Sequence, residues 1–518
     1  MTADRRDRQS GDHRGDDRRD ARGRQRGAAR SRAQGHRTSQ APSQRRRFTD
    51  PARTAAYDVL REVDASDAYA NLVLPPLLRE RGITGRDAAF ATELAYGTLR
   101  LRGRYDAILS RCVSRPLDQL DPEVLDVLRL GAHQVLGMRV PAHAAVSETV
   151  GLCRDRVGAG PAQMVNAVLR AVGRTSLDDW LDQVRAGAPD ETTALALTGS
   201  HPVWITRALR EALHGSGRSV GELADLLEAD NTGPRVTLVA RPGLVEADEL
   251  AVGDREARLS PGRWAPTAHV LASGTDPAAL EAVGDGRAGV QDEGSQLVTL
   301  ALAATPVEGC DERWLDLCAG PGGKAALLGA LAARQGARLV ANEVQPHRTR
   351  LVRQGVRAVP GDAVEAVRTG DGRETGSEEP GAYDRVLVDA PCTGLGALRR
   401  RPESRWRRTP ADLGTLTGLQ SELLTSALEA VRPGGVVAYV TCSPHLAETR
   451  LVVDDVLRRR EDVERLDARA VVRDVLVPGA EIDLGADDGG AGGLDVQLWP
   501  HVHGTDAMHL TLLRRSGG

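Results

Sequence analysis

The sequence predicts a multidomain chain: an all-helical N-terminal bundle, a small α/β connector, and a C-terminal doubly wound α/β domain. Three observations carry this. The chain has 518 residues, too many for one ordinary domain. Apolar residues recur at helical spacing from about residue 48 to 200, with little β-branched alternation. From residue 301 onward, short apolar runs alternate with helix-forming stretches, as in parallel sheets with crossover helices.

Composition frames these parts. A hydrophobic fraction of 41% with 27% charged residues describes a soluble globular protein. No apolar run is long enough to span a membrane, and no apolar h-region of a secretory signal opens the sequence. Six scattered cysteines without a C-x-x-C pair argue against zinc and against a disulfide framework, so a reducing, cytoplasmic setting is expected.

Charge is unevenly distributed. Residues 1–47 hold fifteen Arg against six Asp, a surplus of nine, so a net −4 leaves about −13 on the rest. That segment has no aromatics and no apolar period, and reads as a disordered tail. An arm gripping nucleic-acid phosphates and a plain solubilising tail both fit it.

Order is expected from Phe48. Asp50 is a plausible N-cap with Pro51 at the first helical position, and Ala56, Val59, Leu60 and Val63 share one face. Asp121 and Pro122 repeat the device, and further helices are expected at about 86–101, 144–155 and 161–173. Residues 48–200 thus form one helical domain. In 201–300, "PRVTLVARPG" is strand-like among acidic helical pieces, which gives the connector. Residues 301–518 then form the α/β domain, with buried strands expected at 313–318, 337–343, 384–391 and 434–442.

In such a sheet, functional residues sit at the C-terminal ends of the strands. The first strand runs into "DLCAGPGGK", whose glycines admit a ligand close to the backbone where a helix begins. It is neither a Walker loop nor G-x-G-x-x-G. Glu343 ends the second strand, placed to take ribose hydroxyls, and Asp362 in "VPGDA" would suit an adenine amine. Together they indicate an adenosine cofactor, against the bland reading of a tight turn and two helix caps.

The strand at 384–391 leads to Asp389 and Cys392 in "DAPCTGLG", that at 434–442 to Cys442 in "YVTCSP". All three would face one crevice. Single cysteines are more often inert core residues, but two on adjacent strand tips suit thiolate addition to C6 of a pyrimidine. That addition makes C5 enamine-like, and a carboxyl group on the N3/N4 edge would stabilise the developing charge.

"DLCAGPGGK", "DAPCTGLG" and "YVTCSP", in this order, resemble the Sun/RsmB family of RNA cytosine-C5 methyltransferases over about 290–518. "LRRRPESRWRR" followed by "LQSELL" resembles its ribosomal-RNA branch, and "MVNAVLRAV" within 48–200 resembles the NusB-like RNA-binding domain of that branch. The resemblance implies a Rossmann-like methyltransferase domain using S-adenosylmethionine. It implies Cys442 as nucleophile, Cys392 as the group that assists release of the methylated base, Asp389 on the cytosine edge, and Lys324 between cofactor and base. Cys318, Ala319, Gly320, Pro321, Gly322, Gly323, Lys324, Glu343, Asp362 and Asp389 would line the cofactor pocket. In DNA cytosine methyltransferases the nucleophile is the cysteine of a Pro-Cys pair, which makes Cys392 the rival.

Lys324 is the single lysine beside 67 arginines. A compact ammonium fits a tight turn beside a reactive base where a planar guanidinium does not. Arg399, Arg400, Arg401, Arg405, Arg407 and Arg408 would pair with RNA phosphates, and Trp406 would stack on a base or pack in the core. Three departures stand out: Ala325 where Thr is usual, Ala507–Met508–His509 where Gly-Phe-Phe is usual and packing near the cofactor should loosen, and 368–381, which reads as a polar surface loop.

The expected activity is 5-methylcytosine formation in small-subunit ribosomal RNA, with no metal and no stable protein partner. A non-catalytic RNA-binding assembly or antitermination factor, and the same chemistry on transfer RNA, are the rivals.

Overall fold

The computed structural model describes residues 50–66, 68–251, 258–272, 275–485 and 491–517. The expected arginine-rich tail, 1–47, lies outside the described residues.

Nine helices from Pro51–Ser66 to Glu191–Thr198 build the N-terminal part. Asp50 Oδ1 accepts from Ala52 N at 2.8 Å, and Asp121 Oδ1 from Glu123 N at 3.0 Å, so both expected caps form. Val59, Leu60 and Val63 meet Leu128, Leu130 and Val168 in one aliphatic core. Each such buried side chain contributes roughly 1.5–3 kcal/mol.

Two further helices, Val203–Gly215 and Leu223–Asn231, open the stretch read as a connector. Their faces, with Ile205, Leu209 and Leu226, bury Leu395, Leu398 and Trp499 of the C-terminal part. Four short strands follow: β1 (Thr237–Ala240), β2 (Leu259–Pro261), β3 (Ala268–Leu271) and β4 (Ala288–Val290). They form an antiparallel sheet in the order β2-β3-β1-β4.

The large sheet is made of β5 (Arg313–Asp316), β6 (Arg338–Glu343), β7 (Val364–Thr369), β8 (Tyr383–Asp389), β9 (Val431–Thr441), β10 (Val463–Leu466), β11 (Val496–Gln497) and β12 (His509–Arg515). Its order is β10-β12-β9-β8-β5-β6-β7, with β11 beside β12. The run β9-β8-β5-β6-β7 is parallel, and β12 is antiparallel to β9. Alternate residues serve opposite faces: Trp314 and Leu387 pack with helices Glu293–Ala304 and Gly323–Gln335. Leu315, Val386 and Val388 pack with helix Pro410–Ala430 and helix Arg450–Leu457.

Three expectations change. β7 begins after Asp362, so that residue sits at the end of the sheet opposite Glu343, whose register partner on β7 is Thr369. The carboxylate just beyond the C-terminal tip of β7 is Asp371. Residues 368–381 are no free loop: Arg368 and Thr369 complete β7, and Thr375 and Gly376 are buried. Ser426 Oγ accepts from Gly376 N at 2.8 Å and donates to Gly372 O at 2.7 Å. Finally, Ala507, Met508 and His509 are 2%, 2% and 4% exposed, with Met508 inside the main core, so the departure leaves no loosened packing.

Candidate active site

The site lies where β5, β8 and β9 end side by side. After β5, the chain turns through Gly320 and Gly322 into helix Gly323–Gln335. Gly322 has φ 111°, and a Cβ there would come 3.0 Å from Val352 Cα. A Cβ on Gly320 would come 2.1 Å from Glu343 Oε2, which instead accepts from Gly320 N at 3.0 Å. Gln345 N takes the other oxygen at 2.8 Å. Glu343 therefore braces the Gly-rich turn from the tip of β6.

Lys324 Nζ meets Asp389 Oδ2 at 2.8 Å, joining the first turn to the tip of β8. Burial pulls the Lys324 ammonium down, but the charge and hydrogen bond of Asp389 outweigh it and hold the group above its usual range. Asp316, 1% exposed at the end of β5, has no side-chain hydrogen-bond partner for its carboxyl group. Burial, then the charge of Asp389, pushes it up to about 8. Burial also pushes the Cys318 thiol far up, helped by Asp316, Asp389, Glu343 and Asp371, which makes it a poor nucleophile.

Cys392 Sγ and Cys442 Sγ lie 3.4 Å apart, both half-buried. The hydrogen bond from Cys392 holds Cys442 below the usual thiol range, burial opposes it, and Lys324 assists. The same bond, then burial, pushes Cys392 well up, with Glu448 adding to it. The two thiols are thus shifted in opposite directions, Cys442 down and Cys392 up. The C-terminal segment closes over them: Gly396 N donates to Cys442 O, and Ala507 N to Gly396 O, both at 2.9 Å.

The arginine segment behaves otherwise than expected. Arg405 is fully buried and donates to Arg100 O, Ser200 O, Asn231 Oδ1 and Asp230 O at 2.7–3.1 Å. Arg407 donates to Val63 O and Ala68 O, Arg399 to Gly504 O, and Arg400 to Asp506. Arg401 lies over the Tyr69 ring, and Trp406 packs on Gly103 beneath Arg102. Arg401, Arg405, Trp406 and Arg407 thus tie the helical part to the C-terminal part, while Arg399 and Arg400 bond within the latter; buried carbonyls need donors, and a guanidinium supplies several. Of the seven residues expected to contact RNA, half-buried Trp406, Arg407 and Arg408 line a seam cavity of about 530 Å³, whose other walls include Tyr69, Arg102 and Glu403. Sequence reasoning missed Asp316, Asp371 and Glu448. The first two follow from strand ends, while Glu448 carries no local signal.

No group of metal-ligating side chains occurs among the described residues, and no helix among them is long and apolar enough to cross a membrane.

Residues 301–514 match the 16S rRNA methyltransferase RsmB/F family, and residues 50–174 the NusB family. "Putative methyltransferase Rv1407" of Mycobacterium tuberculosis is 52% identical over 91% of this chain and 98% of its own. The ribosomal RNA small subunit methyltransferase B of Vibrio cholerae is 32% identical over 83% and 92%. The fold is shared with the solved structure of PH0851, with a TM-score of 0.71 at 20% identity, covering 91% of this chain and 100% of that one. With a NusB-family domain ahead of its methyltransferase domain, the chain belongs to the RsmB/F family of methyltransferases.

Proposed function

We propose that the protein methylates C5 of a cytosine in small-subunit ribosomal RNA, with S-adenosylmethionine as methyl donor and Cys442 as covalent nucleophile. The observation that carries this reading is the pair of sulfurs 3.4 Å apart beside the Lys324–Asp389 ion pair. An ammonium beside a thiol favours the thiolate, the form that adds to C6. Asp389, whose side chain is 27% exposed, has its other oxygen for the N3/N4 edge of the base. Cys392 is within reach of a base bonded to Cys442; after losing its own proton to solvent, its thiolate can take the C5 proton, so that the C5–C6 double bond re-forms and Cys442 leaves as thiolate.

The residues around the Gly-rich turn fit the cofactor. Asp316 offers a buried carboxyl group with no side-chain partner at the strand tip, suited to a cationic amino-acid group, and the lack of a side chain at Gly320 lets Glu343 close against the turn. Cys318–Lys324, Glu343, Asp389 and Asp371 would hold it; Asp371 takes the place expected for Asp362. When bound, S-adenosylmethionine supplies an electrophilic methyl group. The base must leave its stack to reach Cys442, at least cost from a loop. The relatives' names favour rRNA over transfer RNA as substrate.

The test is a denaturing gel of protein, S-adenosylmethionine and protein-free small-subunit rRNA. A retarded protein–RNA band is expected from Cys392→Ala and none from Cys442→Ala. A band that needs Cys392 instead would reverse the two roles. No band from any variant, with no methyl transfer by wild type, would overturn the reading.

A further inference from the structure

Nothing in a Pro-Cys or a Thr-Cys dipeptide decides which of two adjacent sulfurs ionises. The asymmetry lies in what stands behind each. Glu448, on the turn Leu446–Glu448 that follows Cys442, is 0% exposed. Its Oε1 accepts from Thr393 N at 2.7 Å and from Gln420 Nε2 at 3.2 Å, and its Oε2 accepts from the Thr393 hydroxyl. Gln420 Nε2 also donates to Pro391 O at 2.8 Å, and Tyr439 OH to Glu448 O at 2.9 Å. The carboxylate therefore holds the chain on both sides of Cys392. One residue on, Thr393 Oγ1 and Ser443 Oγ lie 3.3 Å apart, so the two strand tips are paired at the sulfurs and again at the hydroxyls.

The charges divide the same way. Lys324, Asp389, Asp506 and Arg400 act on Cys442. Glu448 and the Tyr439 phenol stand on the Cys392 side. His445 is also near Glu448, but its Nδ1 accepts from Ala447 N, and burial lowers its pKa, so it brings no proton at neutral pH. Among the described residues no Lys or Arg forms an ion pair with Glu448, so its charge is offset by hydrogen bonds alone.

We propose that Glu448 is a positioning residue that decides which sulfur reacts: its carboxylate fixes the Cys392 loop and sets a negative charge behind Cys392 only, leaving Cys442 as the thiolate. This rests on the two-cysteine reading above and adds the reason for its polarity. The opposite shifts of the two thiols come first from the hydrogen bond between them, and Glu448 is a further cause that raises Cys392.

The test uses the full chain and iodoacetamide, which reports thiolate at each cysteine, with peptides resolved by mass. In Cys442→Ala, adding Glu448→Gln should speed Cys392 alkylation at pH 7.5 at least fivefold. In Cys392→Ala, the same change should alter Cys442 alkylation less than twofold. Glu448→Asp, which keeps the charge, should leave Cys392 within twofold. No acceleration of Cys392, or equal acceleration of both cysteines at an unchanged melting temperature, would overturn the proposal. Should Glu448→Gln not fold, Thr393→Val decides: it removes a hydrogen bond and keeps the charge, so a fivefold acceleration of Cys392 there would sink the charge argument. Alkylation needs neither RNA nor cofactor, so absent methyl transfer would count against the proposed function alone.

Discussion

Lys324 Nζ lies 2.8 Å from Asp389 Oδ2, and this one contact ties the Gly-rich turn to the strand tip that leads into Cys392. The ammonium is 13% exposed and also acts on Cys442. A guanidinium in that space would have to displace the turn, and a neutral side chain would leave the half-buried Asp389 carboxylate unpaired. Lys324→Arg and Lys324→Met are both expected to reduce methyl transfer by about a hundredfold or more. Because a lowered thiol pKa means thiolate above it, Lys324→Met should move the pH midpoint of Cys442 alkylation upward. An unmoved midpoint would separate the lysine from the thiol.

Strands β5, β6, β8 and β9 were legible because each is a buried apolar run between turn residues, as "RVLVD" and "VVAYVT" are. β7, "VEAVRT", alternates partly exposed residues at the sheet edge and gives no such run. The apolar pattern therefore does not show that "VPGDA" leads into β7 and that Asp371 is the carboxylate following its tip. Arg405 looked like a phosphate ligand because its acceptors, at Arg100, Ser200 and Asp230, lie 175 or more positions away along the chain. Only the folded chain shows that a dense arginine run can serve as an internal seam.

That reassignment has a direct consequence for the cofactor pocket. Asp362 is exposed at the far end of the sheet, so Asp362→Asn should leave S-adenosylmethionine affinity within twofold by calorimetry. Asp371→Asn, at the tip beside the Gly-rich turn, should weaken it about tenfold, near 1.4 kcal/mol. The reverse pattern would restore the role to Asp362.

Asp316 gives the stability a distinctive pH dependence. Its folded pKa is near 8, raised first by burial and then by Asp389, against about 3.9 in an unfolded chain. Between these values the folded state holds a proton that the unfolded state releases, so this group's contribution is complete below about pH 4 and is lost as pH rises through 8. In cofactor-free protein, Asp316→Asn should flatten the fall in melting temperature between pH 5 and 8, and gain several degrees at pH 8. A parallel fall in both proteins would show that Asp316 is ionised in the fold.

Arg405 separates a structural seam from an RNA contact. With four internal acceptors and no exposure, its loss strands carbonyls that water cannot reach. Arg405→Ala is expected to cost about 3 kcal/mol or more in denaturant unfolding. The salt dependence of RNA binding by the folded fraction should be unchanged, whereas losing a phosphate contact would lower its slope by about one.

Gly396 sets the distance between the C-terminal segment and Cys442, the proposed nucleophile. A Cβ there would lie 2.3 Å from Ala507 O and 2.9 Å from Cys442 O, both backbone atoms that no side-chain rotation can move aside. The Gly396–Cys442 and Ala507–Gly396 hydrogen bonds, each 2.9 Å, must lengthen together to admit a methyl group. Overpacking of this kind costs about 1–3 kcal/mol of stability. The larger effect is expected on rate, because Cys442 shifts relative to Lys324 and Cys392 while the cofactor turn, on another strand, stays in place. Gly396→Ala should therefore lose methyl transfer more than tenfold at nearly constant cofactor affinity. Equal losses in both would mean that the substitution disturbs the whole sheet rather than the one peptide that carries Cys442.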